Sequence, residues 1–251
     1  MDYEHWQARW DLQQESYMPD REARFAALLD VVDAACGEAP RVIDLAGGTG
    51  SITRRLLARF PGAHSVVVDL DPALLDLARR TFERDARVRI VSADLSRSTW
   101  REQVAPTSVD AVLTATALHW LEPDRVRELY AESHGLLVPG GVFANVDHMR
   151  DDGLFPLHDA FDRLSTARAD QHRAQTGSTD WAGWWTELGK DPEMASLVEA
   201  RTAIFGAQSG HSHTRSEMPS QWHLAALQDA GFGAAGLAWR CLDDALVVGV
   251  A

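Results

Sequence analysis

The stretch RVIDLAGGTGSITRRL, residues 41–56, constrains the fold of this chain more than any other part of its sequence. Residues 41–46 form a short apolar run that contains one acid and follows a proline, a pattern typical of a buried parallel strand. Residues 47–50 are rich in glycine, so the backbone of this turn can lie directly against a ligand. Residues 51–60 then carry apolar side chains at helical spacing. Strand, glycine loop and helix in this order predict the ligand-binding corner of a doubly wound sheet.

The glycine loop does not match a dinucleotide-binding loop. A dinucleotide fingerprint requires G-x-G-x-x-G, and counting from Gly48 and Gly50 the third position falls on Thr53. Asp44 lies beside the loop, where its carboxylate would repel a pyrophosphate but attract a cation. We therefore expect a cationic ligand, such as the ammonium and sulfonium groups of S-adenosylmethionine. The alternative is a plain strand–turn–helix whose glycines have no ligand.

At residues 44–50, DLAGGTG, the sequence resembles the first motif of the class I S-adenosylmethionine-dependent methyltransferases. That motif is an acid followed by a loop close to G-x-G-x-G, and here Ala46 replaces its first glycine. The resemblance extends from about Arg41 to Val146 and resumes near the C-terminus. It implies S-adenosylmethionine as the cofactor. It also implies cofactor contacts from Asp44, Ala46, Gly47, Gly48, Gly50, Asp69, Leu70, Asp94, Leu95 and Thr114.

The resemblance further implies an α/β architecture with a doubly wound, mostly parallel seven-stranded sheet in the order 3-2-1-4-5-7-6. Helices would cover both faces of this sheet, and a helical cap would be added to it. The length favours one domain over residues 1–251, because such a chain can bury one large core but not two. We expect residues 1–37 to form an N-terminal helical cap segment. Residues 150–218 are expected to form a helical insertion that covers the substrate as a lid.

Acids follow the second and third predicted strands. Asp69 lies about 20 residues after Gly50, close to the spacing at which an acid receives the hydroxyls of a ribose. By resemblance Asp69 binds the ribose diol, whereas Asp71 precedes a proline and is better placed to cap a helix. The resemblance also places an acid–hydrophobe pair, here Asp94 and Leu95, against the adenine.

Aromatic residues are concentrated in the N-terminal segment and in the insertion. Several large rings seldom remain together in water, so residues 1–18 are expected to close over the cofactor. The tryptophans of the insertion suit an aromatic or apolar acceptor, although they could equally form a small core of the insertion itself. The residues expected to contact the acceptor are Tyr17, Trp120, Trp181, Trp185, His211 and His223.

Two histidines end strands at the ligand-binding edge of the predicted sheet. His119 follows the fourth strand, and His148 ends the fifth strand and leads into the insertion. Methyl transfer from a sulfonium is an in-line displacement, so a base is needed only when the acceptor arrives protonated. We expect His148 to act as that base. His119 is expected to support binding as well as turnover, unless either ring only packs against its neighbours.

The composition excludes several kinds of partner. A net charge of −13 without a visible basic face argues against a nucleic acid. No apolar run reaches membrane-spanning length and the N-terminus lacks a signal-peptide core, so no membrane is expected. Two cysteines are too few for a disulfide framework, which favours a reducing cytoplasm. The expected partner is a small-molecule acceptor, and a homodimer is left open.

The leading prediction is a methyltransferase that acts on an oxygen or nitrogen of a small, aromatic or apolar metabolite, as in natural product biosynthesis. The alternative is a cyclase or isomerase of the same fold that uses the sulfonium electrostatically. Metal assistance there would come from His211 and His213 with His223 or Asp147, but the leading prediction needs no metal. An enzyme that modifies DNA is disfavoured, because the Asn/Asp-Pro-Pro-aromatic sequence of amine methyltransferases is absent after the fourth strand.

Overall fold

The computed structural model describes residues 2–18, 20–104, 108–206 and 218–251. Its strands are β1 (Arg41–Leu45), β2 (His64–Asp69), β3 (Val88–Ser92), β4 (Val109–Ala115), β5 (Leu137–His148), β6 (Ala234–Cys241) and β7 (Asp244–Val250). Its α-helices are α1 (Tyr3–Glu15), α2 (Arg21–Cys36), α3 (Ser51–Arg59), α4 (Pro72–Thr81), α5 (Trp100–Val104), α6 (Pro123–His134), α7 (His158–Thr176), α8 (Trp181–Leu188), α9 (Ala195–Phe205) and α10 (Ser220–Asp229). Short 3₁₀ helices cover Leu118–Trp120 and Asp152–Leu157.

The strands form one sheet in the order β3-β2-β1-β4-β5-β7-β6, which confirms the predicted fold class. β1 pairs in parallel with β2 on one side and with β4 on the other. β7 runs antiparallel to both β5 and β6. The strand order reverses between β1 and β4, and in such sheets the crevice beyond the carboxyl ends at this point is the ligand site.

The side chains of β1 alternate between two hydrophobic cores, one on each face of the sheet. Ile43 and Leu45 belong to the core that includes side chains of α5, α6 and α10. Val42 belongs to the opposite core, which α2 and α3 complete. This alternation follows from the two-residue period of a strand, and it decides which way Asp44 points.

Helix boundaries match the local signals in the sequence. Asp71 caps α4, because its Oδ1 accepts hydrogen bonds from the backbone N–H groups of Ala73 and Leu74. α2 begins after Asp20 and ends at Gly37, whose φ of 70° lies in the left-handed region that favours glycine. The sequence predicts the cap at Asp71 from the proline that follows it.

A third hydrophobic cluster joins the N-terminal segment to the insertion. Trp6 and Trp10 of α1 pack with Trp184 and Trp185 of α8, and the cluster lies against Leu74 of α4. The insertion tryptophans therefore build a core together with α1, rather than one confined to the insertion. Within the described part of the chain, no helix is both long enough and apolar enough to cross a membrane.

Candidate active site

The glycine loop bends tightly over the carboxyl end of β1. Ala46, Gly48 and Gly50 all have positive φ, at 51°, 55° and 79°. The N–H of Gly48 donates to Oδ2 of Asp69 at 2.8 Å, which fixes the loop to the end of β2. Backbone conformations of this kind expose the inner surface of the loop to a ligand.

One cavity of about 560 Å³ lies above the carboxyl ends of β1, β2 and β4. This volume is within the range of small-molecule sites. The predicted cofactor contacts that line it are Ala46, Gly47, Gly48, Asp69, Leu70, Asp94 and Leu95. They come from separate stretches of chain that the topology brings to one edge.

Asp44 does not line the cavity, although the sequence suggested that its carboxylate faces a cationic ligand. It is fully buried beneath the loop, where Oδ2 accepts hydrogen bonds from the N–H and Oγ1–H of Thr53. Burial raises the pKa of Asp44 to about 7. A Cβ on Gly47 would lie 2.7 Å from Cγ of Asp44, so this carboxyl group supports the loop from below.

Gly50 and Thr114 also lie outside the lining of the cavity. A Cβ on Gly50 would approach the ring of Phe82 to 2.5 Å, so this glycine is required by packing against the end of α4. Thr114 is fully buried in the middle of the sheet. Neither residue lines the cavity, so a direct contact of Gly50 or Thr114 with the cofactor stays a prediction.

Asp69 is the acid with the best-defined orientation in the cavity. Its Oδ2 accepts from Gly48 and its Oδ1 accepts from the N–H of Asp71 at 2.8 Å. Burial raises the pKa of Asp69, and the backbone hydrogen bonds oppose that rise. Each oxygen keeps a second lone pair, so this carboxylate can still receive hydroxyl groups of a ligand.

His119 and Asp147 form a buried pair at the carboxyl ends of β4 and β5. Nδ1 of His119 lies 2.6 Å from Oδ1 of Asp147. Asp147 also accepts hydrogen bonds from the backbone N–H groups of His119 and His148. Burial alone would raise the pKa of Asp147, but the two histidines outweigh it and hold the pKa well below its usual range.

His148 forms a second imidazole–carboxylate pair beside the first. Its Nδ1 lies 2.6 Å from Oδ1 of Asp244, which also pairs with the buried Arg24. The rings of His148 and His119 lie 5.6 Å apart between centroids, and both line the cavity. Because a carboxylate only accepts, Nδ1 carries a proton, and in the neutral form of the ring Nε2 of His148 is the nitrogen with a lone pair.

The residues predicted to contact the acceptor divide into two groups. Tyr17, Trp120 and Trp181 line the cavity, and Trp120 is half-exposed at its mouth. Trp185 is buried outside the lining. His223 is also buried outside it, with its Nδ1 2.6 Å from the hydroxyl of Tyr130.

Burial lowers the pKa of His223 to about 4, so this ring is neutral near pH 7. His223 is buried in the core, so it does not face the acceptor side of the cavity. His211 and His213 lie outside the described residues. Among the residues that are described, no group of three or more His, Cys, Asp or Glu side chains is arranged to hold a metal ion.

Two arginines in the lining were missed by the sequence reasoning. Arg21 begins α2 at a spacing of four from Phe25, on the buried face of the helix, which is a signal that could have identified it. It pairs with Asp11 at 2.8 Å, while its buried Nε has no hydrogen-bond partner in the described structure. Arg201 reaches the cavity from α9 and pairs with Asp71, which no local pattern predicts.

These groups fit the charges and hydrogen-bonding groups of S-adenosylmethionine. Asp69 offers acceptor oxygens for the hydroxyl groups of a ribose. At Gly48 a Cβ would meet no protein atom closer than 3.5 Å, so the backbone there is open to a ligand. The cavity therefore provides an acceptor for the ribose and an open backbone surface at the glycine loop.

Comparison with known proteins identifies the central part of the chain. Residues 42–141 match the family model described as a methyltransferase domain. Trans-aconitate 2-methyltransferase of Methylobacterium radiotolerans is 41% identical over 48% of this chain and 42% of its own length. The enzyme of the same name from Deinococcus radiodurans is 32% identical over 74% of this chain and 65% of its own length. The chain thus spans about half to two thirds of the length of these curated relatives.

Solved structures extend the likeness to the whole fold. The S-adenosylmethionine-dependent methyltransferase SibL aligns with a TM-score of 0.58 and 20% identity, over 92% of this chain and 55% of its own. An O-methyltransferase family protein from Burkholderia thailandensis aligns with a TM-score of 0.58 and 21% identity, over 97% of this chain and 59% of its own. The matched domain, the strand order and the loop geometry agree: residues 42–141 are a methyltransferase domain, and the chain has the fold of the solved S-adenosylmethionine-dependent methyltransferases.

Proposed function

We propose that this protein transfers a methyl group from S-adenosylmethionine to an oxygen or nitrogen of a small acceptor with an aromatic or apolar body. The observation that carries the proposal is the pair of carboxylate-backed imidazoles, His119 and His148, beside the glycine loop in one aromatic-lined cavity. Imidazoles held in one tautomer by a carboxylate are suited to accept a proton from an incoming nucleophile.

S-adenosylmethionine, when bound, supplies a methyl group on a sulfonium, which needs no further activation. The protein has to align the acceptor, exclude water and remove one proton. His148 removes this proton: its Nε2 accepts it from a phenol, alcohol or ammonium acceptor, and Asp244 stabilises the resulting imidazolium. His119 is more deeply buried, and Asp147 holds it against the wall of the cavity.

Cofactor binding is assigned to the residues that line the β1–β2–β3 side of the cavity. Asp69 receives the ribose hydroxyls, and Asp94 with Leu95 contacts the adenine. Arg21 lines the same cavity, but its guanidinium already pairs with Asp11. Residues 46–48 supply a backbone surface without large side chains.

The N-terminal segment and the insertion together form the lid of this site. Nε2 of Gln7 donates to Oγ1 of Thr49 at 2.9 Å, and Oγ of Ser51 donates to Asp11, so α1 is bonded directly to the glycine loop. Trp10 extends from α1 into the cavity lining. These contacts support the assignment of residues 1–37 as a cap segment, and the packing of Trp184 and Trp185 against Trp6 and Trp10 connects the insertion to it.

Replacing Asp69 by alanine is expected to weaken cofactor binding about tenfold or more, because hydrogen bonds to a charged group contribute about 1.5–3 kcal/mol each. Calorimetric titration with S-adenosylhomocysteine measures this loss without any acceptor. Asp229→Ala is the control, since Asp229 lies on the surface with a side-chain exposure of 73%. Equal affinity of wild type and Asp69→Ala would remove Asp69 from the cofactor site.

Replacing Gly48 by valine is expected to abolish cofactor binding while the fold is retained. The branched side chain would occupy the ligand side of the loop, and the positive φ adds about 1–2 kcal/mol of strain. Gly140→Val is the matched control, because Gly140 also has positive φ and its Cβ would meet nothing within 4 Å. If both variants bind S-adenosylhomocysteine equally, the loop does not approach the cofactor.

A second acceptor class has to be considered, because two of the relatives are named trans-aconitate 2-methyltransferase. A tricarboxylate requires cationic groups that are available for pairing. Both arginines in the described lining already have carboxylate partners, Arg21 with Asp11 and Arg201 with Asp71. The remaining wall is largely aromatic and aliphatic, which favours an apolar acceptor.

Transfer of tritium from methyl-labelled S-adenosylmethionine tests the proposal. The acceptor panel contains phenols, aromatic amines and trans-aconitate, and each product is then treated with base. Methyl ethers and methylamines survive this treatment, whereas methyl esters release labelled methanol. We expect base-stable label with aromatic acceptors, and Gly48→Val serves as the inactive control. Base-labile label on trans-aconitate would replace the proposed acceptor class. Conversion of a substrate with neither label transfer nor consumption of the cofactor would favour the non-methylating alternative.

A further inference from the structure

Arg201 connects the insertion to the cofactor-binding edge of the sheet. It lies on α9, is only 7% exposed, and lines the cavity. Its Nε is 2.8 Å from Oδ2 of Asp71, the residue that caps α4. The contact is an ion pair rather than an aligned hydrogen bond.

Asp71 and Asp69 form a buried acidic unit. The N–H of Asp71 donates to Oδ1 of Asp69, so the two side chains are fixed relative to each other. Burial and the charge of Asp69 raise the pKa of Asp71 to about 6, and Arg201 opposes the rise. Asp44, beneath the glycine loop, adds a third buried carboxyl group that interacts with Asp69. Arg201 is the cation that acts on both Asp69 and Asp71 within the described structure.

The position of the guanidinium group is set by the aromatic residues of the insertion. Its Cζ lies 3.8 Å from the ring centroid of Trp185, and the rings of Trp181 and Phe205 lie 5.6 Å and 5.4 Å away. A planar guanidinium stacks on such rings more favourably than an ammonium does. The positive charge at the cofactor edge therefore depends on α8 and α9 being docked.

We propose that Arg201 is a positioning residue for the cofactor: it supplies the counter-charge that keeps Asp69 ionised to receive the ribose, and so couples docking of the insertion to cofactor binding. This inference rests on the proposed role of Asp69. A residue of the lid, and not only the glycine loop, then sets the affinity for the cofactor. Without Arg201, two adjacent buried carboxyl groups would share a proton near neutral pH.

The direction of the pH effect follows from the sign of the charge. An acid whose pKa is raised is ionised only at higher pH. In Arg201→Met the pKa of the Asp69–Asp71 unit should rise further, so its affinity for the cofactor should be low at pH 7 and should recover towards pH 9. In the wild type, affinity should change little over the same interval.

Calorimetry with S-adenosylhomocysteine between pH 6 and pH 9 tests this inference on the whole protein without an acceptor. At pH 7 we expect Arg201→Met to bind about tenfold more weakly than wild type, which corresponds to a pKa of the acidic unit about one unit above the pH in the variant. Arg201→Lys keeps the charge and should retain most of the affinity. Asp71→Asn combined with Arg201→Met removes the repelling carboxylate and should restore much of the loss.

Arg127→Met is the matched control, because Arg127 also pairs with an aspartate but lies on the surface, 42% exposed. Far-ultraviolet circular dichroism establishes that each variant is folded before titration. Unchanged affinity in Arg201→Met overturns the inference. A loss that is independent of pH and equally large in Arg201→Lys would show that stacking, not charge, is the contribution, and would overturn it as well.

A failure of this inference about Arg201 can be distinguished from a failure of the proposed function. If Asp69→Ala leaves the affinity unchanged, the ribose assignment has failed, whatever Arg201 does. If Asp69→Ala weakens binding but the double variant Asp71→Asn, Arg201→Met recovers nothing, only the charge argument has failed.

Discussion

Replacing His148 by alanine is expected to lower turnover by about 10²–10⁴, the usual contribution of a general base, with little change in cofactor affinity. His148 faces the cavity with a side-chain exposure of 22%, and Asp244 fixes the tautomer that leaves Nε2 able to accept a proton. Steady-state kinetics with the acceptor found by label transfer measure the loss. Titration with S-adenosylhomocysteine measures the cofactor affinity independently.

The control for this substitution is His172→Ala. His172 lies on α7 outside the cavity lining, and its side-chain exposure of 23% is close to that of His148. An acceptor that is already deprotonated should lose much less rate in His148→Ala than a phenol or an ammonium does, because it needs no base. Wild-type turnover of a protonated acceptor by His148→Ala would leave alignment or His119 to explain catalysis.

The fold could be predicted from the sequence because its central unit is local. An apolar strand, a glycine loop and an amphipathic helix follow one another within residues 41–60. The acids Asp69 and Asp94 could be placed because consecutive parallel strands bring their carboxyl ends to the same edge of a sheet. Both deductions require only the chain order and the strand direction.

The direction in which Asp44 points follows from its place in the strand and not from its distance to the loop. Side chains alternate along β1, and Asp44 lies on the face of Val42, opposite to Ile43 and Leu45. That face meets the start of α3, where Thr53 accommodates the carboxylate. Asp44 is adjacent to the loop in the sequence, but its side chain does not line the cavity.

The partners of the two histidines could not be read from the sequence. His148 and Asp244 are 96 residues apart, and they face each other only because β7 pairs with β5 in a register that places them opposite. His119 and Asp147 are 28 residues apart and meet across the neighbouring strands β4 and β5. Such pairs depend on strand register, which local patterns do not fix.

Replacing Asp147 by asparagine is expected to lower both stability and turnover. The carboxylate is 1% exposed and accepts hydrogen bonds from Nδ1 and the backbone of His119 and from the backbone of His148. Asparagine keeps the shape but not the charge, and removing one member of a buried pair costs about 3–5 kcal/mol. Without the charge, His119 loses both its preferred tautomer and the stabilisation of its protonated form.

The effect of Asp147→Asn on the free energy of unfolding depends on pH in a defined direction. The pKa of Asp147 is well below its usual range in the folded protein, so its charge stabilises the fold above the unfolded pKa of about 3.9. That contribution is lost as the pH falls from there towards the pKa of the folded state. The difference in free energy of unfolding between wild type and Asp147→Asn should therefore be largest near neutral pH and should shrink below about pH 4.

Urea denaturation at pH 7 and at pH 3.5 measures this difference, with Asp229→Asn on the surface as the control expected to change stability by less than about 0.5 kcal/mol. Turnover should also fall, because Asp147 holds His119 in the wall of the cavity beside His148. It should fall by a similar factor in His119→Ala, and the double variant should be little worse than either single one, because the two residues act as a unit. Additive losses would show that Asp147 acts through His148, whose backbone N–H it also binds, and would transfer the role of this carboxylate from His119 to His148.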